Sequence, residues 1–199
     1  MRLVDLVKQL PLDWVLAPIY SKGARMLSGK EATGKNPWET AFDKSLNRDD
    51  VVHQLQKRSD LTAVGVFTGI RGRGLVILDV DRNLVALKRK WGKDLDGAPV
   101  ITSTKKNAAK YIFQVPECLW GEVSGFGHSE DHKQGYEVLF GAQGLVYGAY
   151  PGSQDGKWPE GEYDFAGDPE SIPEAPAWLL AEMKAAKAPS TFIKNRTAL

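Results

Sequence analysis

One short run limits the fold of this chain more than any other feature. Residues 75–81 read Leu-Val-Ile-Leu-Asp-Val-Asp, a nearly unbroken apolar run that ends in two acids. The run is too short for a buried helix and is rich in branched side chains, so it predicts a strand covered on both faces. Because side chains alternate along a strand, Asp79 and Asp81 are expected on one face, together with Ile77.

The paired carboxylates indicate a cation site. Two like charges at the end of a buried strand repel each other unless a cation lies between them, and hard divalent ions prefer carboxylate oxygens. Asp79 and Asp81 therefore predict bound Mg²⁺ or Mn²⁺, and removing one acid could stabilise the fold by relieving repulsion. An alternative stays open, in which one aspartate caps the next helix and the other is solvated.

Glu137 is the third acid of interest because it lies in another predicted strand. If that strand lies beside residues 75–81, three carboxylates meet, as a two-metal phosphoryl-transfer site requires. A solvated glutamate on an edge strand is the alternative.

A lysine-rich turn follows the predicted strand at residues 100–104. Cations and hydroxyl groups there could hold a triphosphate, although a solvated turn has the same composition. The candidates are Ser103, Thr104, Lys105, Lys106 and Lys110.

Composition excludes several classes of protein. The 199 residues fit one domain. The chain has 26 Lys and Arg against 25 Asp and Glu, so its net charge is too small to attract a polyanion. The lone Cys118 excludes an internal disulfide and a cysteine-rich zinc site, and it is predicted to be a small core residue. The single cysteine also favours a reducing interior, so we expect a cytoplasmic protein without zinc. No apolar stretch is long enough for a membrane span. A polar cluster in a turn-rich stretch is not favoured as a metal site; it comprises His128, Glu130, Asp131 and His132.

The order of predicted elements describes one domain over residues 1–186. Strands predicted at 136–140 and 145–150 flank Gly-Ala-Gln-Gly, which suits a β-hairpin. Residues 151–176 are predicted to form an ordered loop anchored by aromatic side chains. Residues 187–199 are predicted to be a linker toward a further C-terminal region. The other predicted strands are 14–20, 63–68, 100–104 and 110–115, and the predicted helices are 3–10, one capped by Asn47, 84–91 and 177–186.

The order and spacing of several landmarks resemble a known family, the bifunctional DNA primase/polymerase (prim-pol) domain of the archaeo-eukaryotic primase superfamily, common in phages and plasmids. The resemblance covers nearly the whole chain to about residue 180. The landmarks are residues 14–18, Lys35 with Pro37 and Trp38, residues 64–69, 74–81 and 111–113, Glu137, Tyr150, residues 151–153, Gly161 and Tyr163.

The resemblance implies an α+β fold, the archaeo-eukaryotic primase core, with an RRM-like antiparallel sheet and an N-terminal αβ module. It implies templated nucleotidyl transfer, with two divalent ions held by Asp79, Asp81 and Glu137. In the second motif this chain departs from the family, because Lys110 stands where a histidine usually contacts the incoming triphosphate. A lysine can bind phosphate only as a point charge, without the directed hydrogen bond of a ring.

The implied partners are a single-stranded DNA template, ribo- or deoxyribonucleoside triphosphates, and a helicase or helical region in the full-length chain. Candidate DNA contacts are Arg71, Arg73, Arg89 and Trp120. Two alternatives stay open. One is a non-catalytic replication module that binds single strands, and the other is a haloacid-dehalogenase-like phosphatase, whose nucleophile motif resembles residues 79–81.

Overall fold

The structure is a computed structural model that describes residues 2–127, 135–153 and 155–187. The strands are β1 (Leu16–Tyr20), β2 (Leu61–Phe67), β3 (Leu75–Val80), β4 (Val100–Thr102), β5 (Ala109–Gln114), β6 (Tyr136–Leu139), β7 (Gln143–Tyr150) and β8 (Gly161–Ala166). The helices are α1 (Leu3–Val7), α2 (Thr40–Asp43), α3 (Arg48–Lys57), α4 (Leu84–Leu95) and α5 (Ala177–Lys187), with a 3-10 turn at Glu117–Leu119.

The strands form one sheet in the order β1-β2-β7-β8-β4-β5-β3-β6. Each neighbouring pair of these strands is antiparallel. β8 joins the two halves of the sheet, since it pairs with β7 on one side and with β4 on the other. The predicted α+β fold, with an antiparallel core sheet and an N-terminal αβ part, is confirmed.

Two hydrophobic cores cover the two faces of β3. Ile77 belongs to the first core, which also holds Val7 of α1 and Val51 of α3. Leu78 belongs to the second core, beneath α4 and α5. Each side of the strand therefore meets apolar side chains, which is why its sequence is almost continuously hydrophobic. Asp79 interrupts this pattern on the side of the first core.

Helix α3 begins where the sequence predicts. The side chain of Asn47 accepts hydrogen bonds from the backbone N–H groups of Asp49 and Asp50, at 2.9 and 3.0 Å. In return, the Asp50 carboxylate accepts from the Asn47 backbone N–H at 3.1 Å, which completes a capping box. Asn47 is therefore the N-cap, as predicted.

The predicted hairpin between β6 and β7 is wrong. β6 pairs with β3, whereas β7 pairs with β2 and β8, so the chain crosses between the two halves of the sheet. Thr68 holds the crossing in place: its N–H and Oγ1 donate to the Ala142 carbonyl, and its Oγ1 accepts from the Ala142 N–H. This tertiary contact overrides a local turn composition that would have suited a hairpin.

The predicted loop at residues 151–176 contains the strand β8. Its composition of Gly, Glu and Asp disfavours a strand, and pairing with neighbours on both sides overrides that preference. The aromatic anchors are confirmed, because Tyr163 is buried in the first core and Trp158 and Phe165 pack against it.

Cys118 is exposed on the 3-10 turn, so its assignment to the core is wrong; the turn lies between β5 and β6 and buries none of its three residues. The cluster of His128, Glu130, Asp131 and His132 lies outside the described residues, as do residues 188–199 of the predicted linker. Lys187 is the last residue of α5.

Candidate active site

Three charged residues form a row across the sheet. Asp79 on β3 is the direct partner of Glu137 on β6 and of Lys110 on β5. Directly opposed residues share a face and have Cβ atoms about 4.5–5.5 Å apart. The register therefore places two carboxylates and one ammonium side by side, and Asp79, the central one, is only 9% exposed.

These residues line a cavity of about 140 Å³ on the face of the sheet that carries Asp79. Two tyrosines, Tyr150 and Tyr163, close part of its wall. Among the lining residues, three acids face three lysines, so the formal charges balance. The charged lining residues are Asp79, Asp81, Glu137, Lys35, Lys105 and Lys110.

Two of the lysines form ion pairs with two of the acids. Lys110 donates to the Asp79 carboxylate, and both side chains are almost buried, at 15% and 12% exposure. Lys105 donates to the Asp81 carboxylate in a more open position, at 26% and 36% exposure. Each acid at the end of β3 is thus neutralised by a lysine from the β4–β5 region of the sheet.

Electrostatics keep Lys110 charged inside the protein. Burial disfavours its ammonium form, but the neighbouring carboxylates, above all Asp79, outweigh burial and raise the pKa of Lys110 above its usual value. Burial also raises the pKa of Tyr163 to about 12, with Asp79 adding to the shift and Lys110 opposing it. At neutral pH the cavity therefore contains a charged lysine beside a neutral phenol.

The fit of divalent cations can be judged from this arrangement. No group of three or more His, Cys, Asp or Glu side chains within residues 2–127, 135–153 and 155–187 is gathered tightly enough to hold an ion. The donors are nevertheless suitable, because three carboxylates line one cavity and carboxylate oxygens are what Mg²⁺ and Mn²⁺ prefer. The donor set fits such ions provided that the lysine ammonium groups leave the carboxylates and that the three carboxylates move closer together.

The structure separates the five candidate phosphate ligands. Lys110, Lys105 and Ser103 line the acidic cavity. Thr104 instead donates its hydroxyl to the Pro159 carbonyl at 2.7 Å. Lys106 is exposed and lines an adjoining cavity of about 550 Å³, which shares Asp81 and Lys105 with the first.

None of the four candidate DNA contacts lines the cavity that the three acids line. Arg71 donates to the backbone carbonyls of residues 41 and 44 and lies 3.7 Å from the centroid of the Phe67 ring. Arg71 and Trp120 line a separate cavity of about 460 Å³, to which the acids do not contribute. Arg73 pairs with Asp13 at 3.6 Å, and Arg89 is exposed on α4.

Sequence reasoning did not assign a site role to Lys35, Tyr150 or Tyr163, which also line the acidic cavity. The two tyrosines come from β7 and β8, and the second of these strands was not predicted. Tyr163 and Phe165 alternate with acids, a pattern typical of a half-buried strand, which could have revealed it.

Lys35 reaches the cavity because its loop is fastened to the chain after β7. Gly34 packs so closely on Pro151 that an added Cβ would lie 2.7 Å from the proline Cβ, and its φ of +83° suits glycine. Lys22 from the same loop donates to the Pro151 carbonyl at 3.4 Å and pairs with Glu160 at 2.8 Å. No pattern in the sequence predicts this docking.

One protein-family model matches most of the chain. The family model for the N-terminal region of bifunctional DNA primase/polymerase matches residues 9–178, most of the chain. The chain belongs to this prim-pol family. A search of curated protein sequences returns no match. The prim-pol match extends across both halves of the sheet and includes every residue of the acidic cavity.

Membership in the prim-pol family, whose name denotes DNA primase and polymerase activity, gives no support to the phosphatase alternative. Among the described residues, no helix of this prim-pol chain has both the length and the apolar content that crossing a membrane requires.

Proposed function

We propose that this protein is a template-directed nucleotidyltransferase, a DNA primase, a DNA polymerase or both, that acts in phage or plasmid replication. The observation that carries the proposal is the cavity in which Asp79, Asp81 and Glu137 meet three lysines, in a chain that belongs to the prim-pol family. Acids and lysines together suit a reaction between a hydroxyl group and a nucleoside triphosphate.

In the proposed reaction, the 3′-hydroxyl of a primer or initiating nucleotide attacks the α-phosphate of an incoming nucleotide, and pyrophosphate leaves. Asp79, Asp81 and Glu137 would hold two Mg²⁺ or Mn²⁺ ions. Such ions, when bound, make the hydroxyl more acidic and neutralise the charge of the leaving group. Because Asp79 lies between Glu137 and Lys110, two of the proposed metal ligands and a proposed phosphate ligand line one small cavity.

The remaining side chains of the cavity bind and orient the nucleotide. Lys110, Lys105 and Lys35 supply positive charge for the triphosphate, and the Ser103 hydroxyl is a further donor. Tyr150 and Tyr163, both almost buried, form a wall that limits access of water. A low-dielectric wall strengthens each charge interaction in the cavity.

The adjoining cavity is the proposed path of the single-stranded template. It holds Lys106, Lys157 and Trp158, and the Lys157 ammonium lies 5.4 Å from the Trp158 ring centroid. Cations beside a partly exposed aromatic ring suit a nucleic-acid backbone and its stacked bases, with little dependence on sequence. Template binding should therefore weaken steeply with salt. Arg71, Arg73, Arg89 and Trp120 would contact DNA only farther from the acids.

A primer-extension assay tests the proposal. The full chain is incubated with a primed template and either ribo- or deoxyribonucleotides, with Mg²⁺ or Mn²⁺, and products are resolved on a gel. We expect incorporation that follows the template and is lost in Asp79→Asn, while Asp94→Asn, on the exposed part of α4, serves as a matched control. Incorporation by Asp79→Asn equal to that of the control would refute the assignment.

A second candidate function is a non-catalytic module that binds single strands. The ion pair between Lys110 and Asp79 favours it, because a lysine replaces the family histidine and neutralises a catalytic candidate. Binding of single-stranded DNA without any incorporation under all of these conditions would favour this function. A helicase or a helical region of a longer chain is the proposed partner in either case.

A further inference from the structure

The acids proposed to hold metal ions already have cationic partners in this structure, and the following inference rests on the proposed function. The ammonium groups of Lys110 and Lys105 hydrogen-bond the carboxylates of Asp79 and Asp81. A carboxylate oxygen bonded to an ammonium group cannot offer the same lone pair to a divalent cation. The two lysines and the ions therefore compete for the same two carboxylates.

The charge of the cavity supports competition. Its three acids are matched by three lysines, so the metal-free cavity has no formal excess of negative charge. A divalent ion that enters while the lysines stay in place would give the cavity a formal excess of positive charge. An ammonium group that leaves its carboxylate relieves that excess and becomes available to a polyanion such as a triphosphate.

We infer that Lys110 and Lys105 are resident counterions of Asp79 and Asp81, that divalent cations bind by displacing them, and that the displaced ammonium groups then bind the nucleotide triphosphate. Lys110 thus takes a role in this chain beyond that of a substitute for a phosphate-binding histidine. Metal and nucleotide binding are coupled, since each removes an obstacle to the other.

The two pairs should differ in how strongly they resist displacement. β5 is hydrogen-bonded to β3 along its length, so only the side chain of Lys110 can move away from Asp79. That pair is almost buried, whereas the pair of Lys105 and Asp81 is partly open to water, which screens it. Lys110 is therefore the stronger competitor.

Binding of Mn²⁺ alone to the full chain tests the inference, with the free ion measured by electron paramagnetic resonance. Lys110→Met should bind Mn²⁺ about tenfold more tightly than the wild type, because a nearly buried partner charge is removed. Lys105→Met should gain about threefold. Circular dichroism verifies folding, and Lys105→Met decides the matter if Lys110→Met does not fold.

The matched control is Lys35→Met. Lys35 lines the same cavity and carries the same charge, but it has no ion pair to a carboxylate of the described residues. Its substitution should change Mn²⁺ affinity by less than about twofold, as expected for an exposed charge. If Lys35→Met gains as much as Lys110→Met, or if neither paired lysine variant gains, the inference is overturned.

Reductive methylation followed by mass spectrometry measures displacement directly. Mn²⁺ should increase the labelling of Lys110 and Lys105, added nucleoside triphosphate should decrease it again, and labelling of the exposed Lys106 should not change with Mn²⁺. Unchanged labelling of both paired lysines would contradict displacement.

The two proposals fail in distinguishable ways. Template-directed incorporation by the wild type, without tighter Mn²⁺ binding in either lysine variant, overturns the counterion role alone. Tighter Mn²⁺ binding in the variants, without incorporation by the wild type, supports the counterion role and refutes the proposed reaction.

Discussion

Lys110 and Asp79 lie directly opposite each other on β5 and β3, and the lysine ammonium donates a hydrogen bond to the aspartate carboxylate. The pair is nearly buried and lies next to Glu137 on the other side of β3. Each of these charges is stabilised by its partner, because a buried charge without a partner loses its hydration and gains no compensating interaction.

This pair reverses the stability effect that the sequence suggests for Asp79. Like charges alone predict that removing Asp79 relieves repulsion, but in the structure its removal leaves Lys110 charged and without its partner. We expect Asp79→Ala to lower the free energy of unfolding by about 3 kcal/mol, and Asp79→Ala with Lys110→Met to recover most of that loss. Urea denaturation of both variants measures the difference. A double variant as unstable as Asp79→Ala would show that the two side chains do not interact.

Lys35 should contribute to nucleotide binding. Lys35→Ala is expected to weaken the affinity for a nucleoside triphosphate about fivefold, since one exposed cation is removed from the cavity. Lys30→Ala is the control, because Lys30 is exposed in the same loop and does not line the cavity. Equilibrium binding of a fluorescent nucleotide compares the two variants. Equal affinities would remove Lys35 from the site.

Tyr163 should make the fold sensitive to alkaline pH. Its pKa in the folded protein is about 12, above the ordinary value of 10.0, so the folded state favours the neutral phenol. The resulting stability is fully present below pH 10 and is lost as the pH rises from 10 to 12, because only the unfolded state ionises readily there. The loss amounts to about 2–3 kcal/mol.

Urea midpoints at pH 8 and pH 11, measured with a metal chelator present, test this dependence. Tyr163→Phe should lose less stability than the wild type between these two pH values. Part of the alkaline loss should remain in the variant, because other tyrosines, such as Tyr136 and Tyr147, also have raised pKa values. The same alkaline loss in both proteins would rule out Tyr163 as its source.

Thr68 should stabilise the crossing between β6 and β7. Thr68→Val keeps the shape of the side chain but removes its two hydrogen bonds to Ala142, leaving a backbone N–H of the crossing without that acceptor. We expect a loss of about 1–3 kcal/mol in the free energy of unfolding, measured by urea denaturation. Thr62→Val, within β2, is the control, since Thr62 is only partly buried. Equal stability of the two variants would exclude the hydrogen bonds as the cause.

The sequence by itself determined the elements that depend on local chemistry. The β3 run is apolar on both faces, so a buried strand follows from its composition, and alternation alone places Asp79 on the face of Ile77. The strand ends at Val80, directly before Asp81. The start of α3 follows from Asn47 and Asp50, because a capping box needs only residues three apart. The resemblance to the prim-pol family predicted the overall fold, which the family match and the antiparallel sheet confirm.

The tertiary structure alone decided which distant residues meet. The hairpin expected between β6 and β7 does not form, because contacts with Thr68 and pairing with other strands outweigh the preference of a four-residue turn. β8 forms against its own composition for the same reason. Likewise, the sequence identifies Lys110 and Asp79 as charged residues 31 positions apart, but only the register of β5 against β3 makes them partners. Pairing across a sheet depends on the summed hydrogen bonds and packing of whole strands, which no local pattern records.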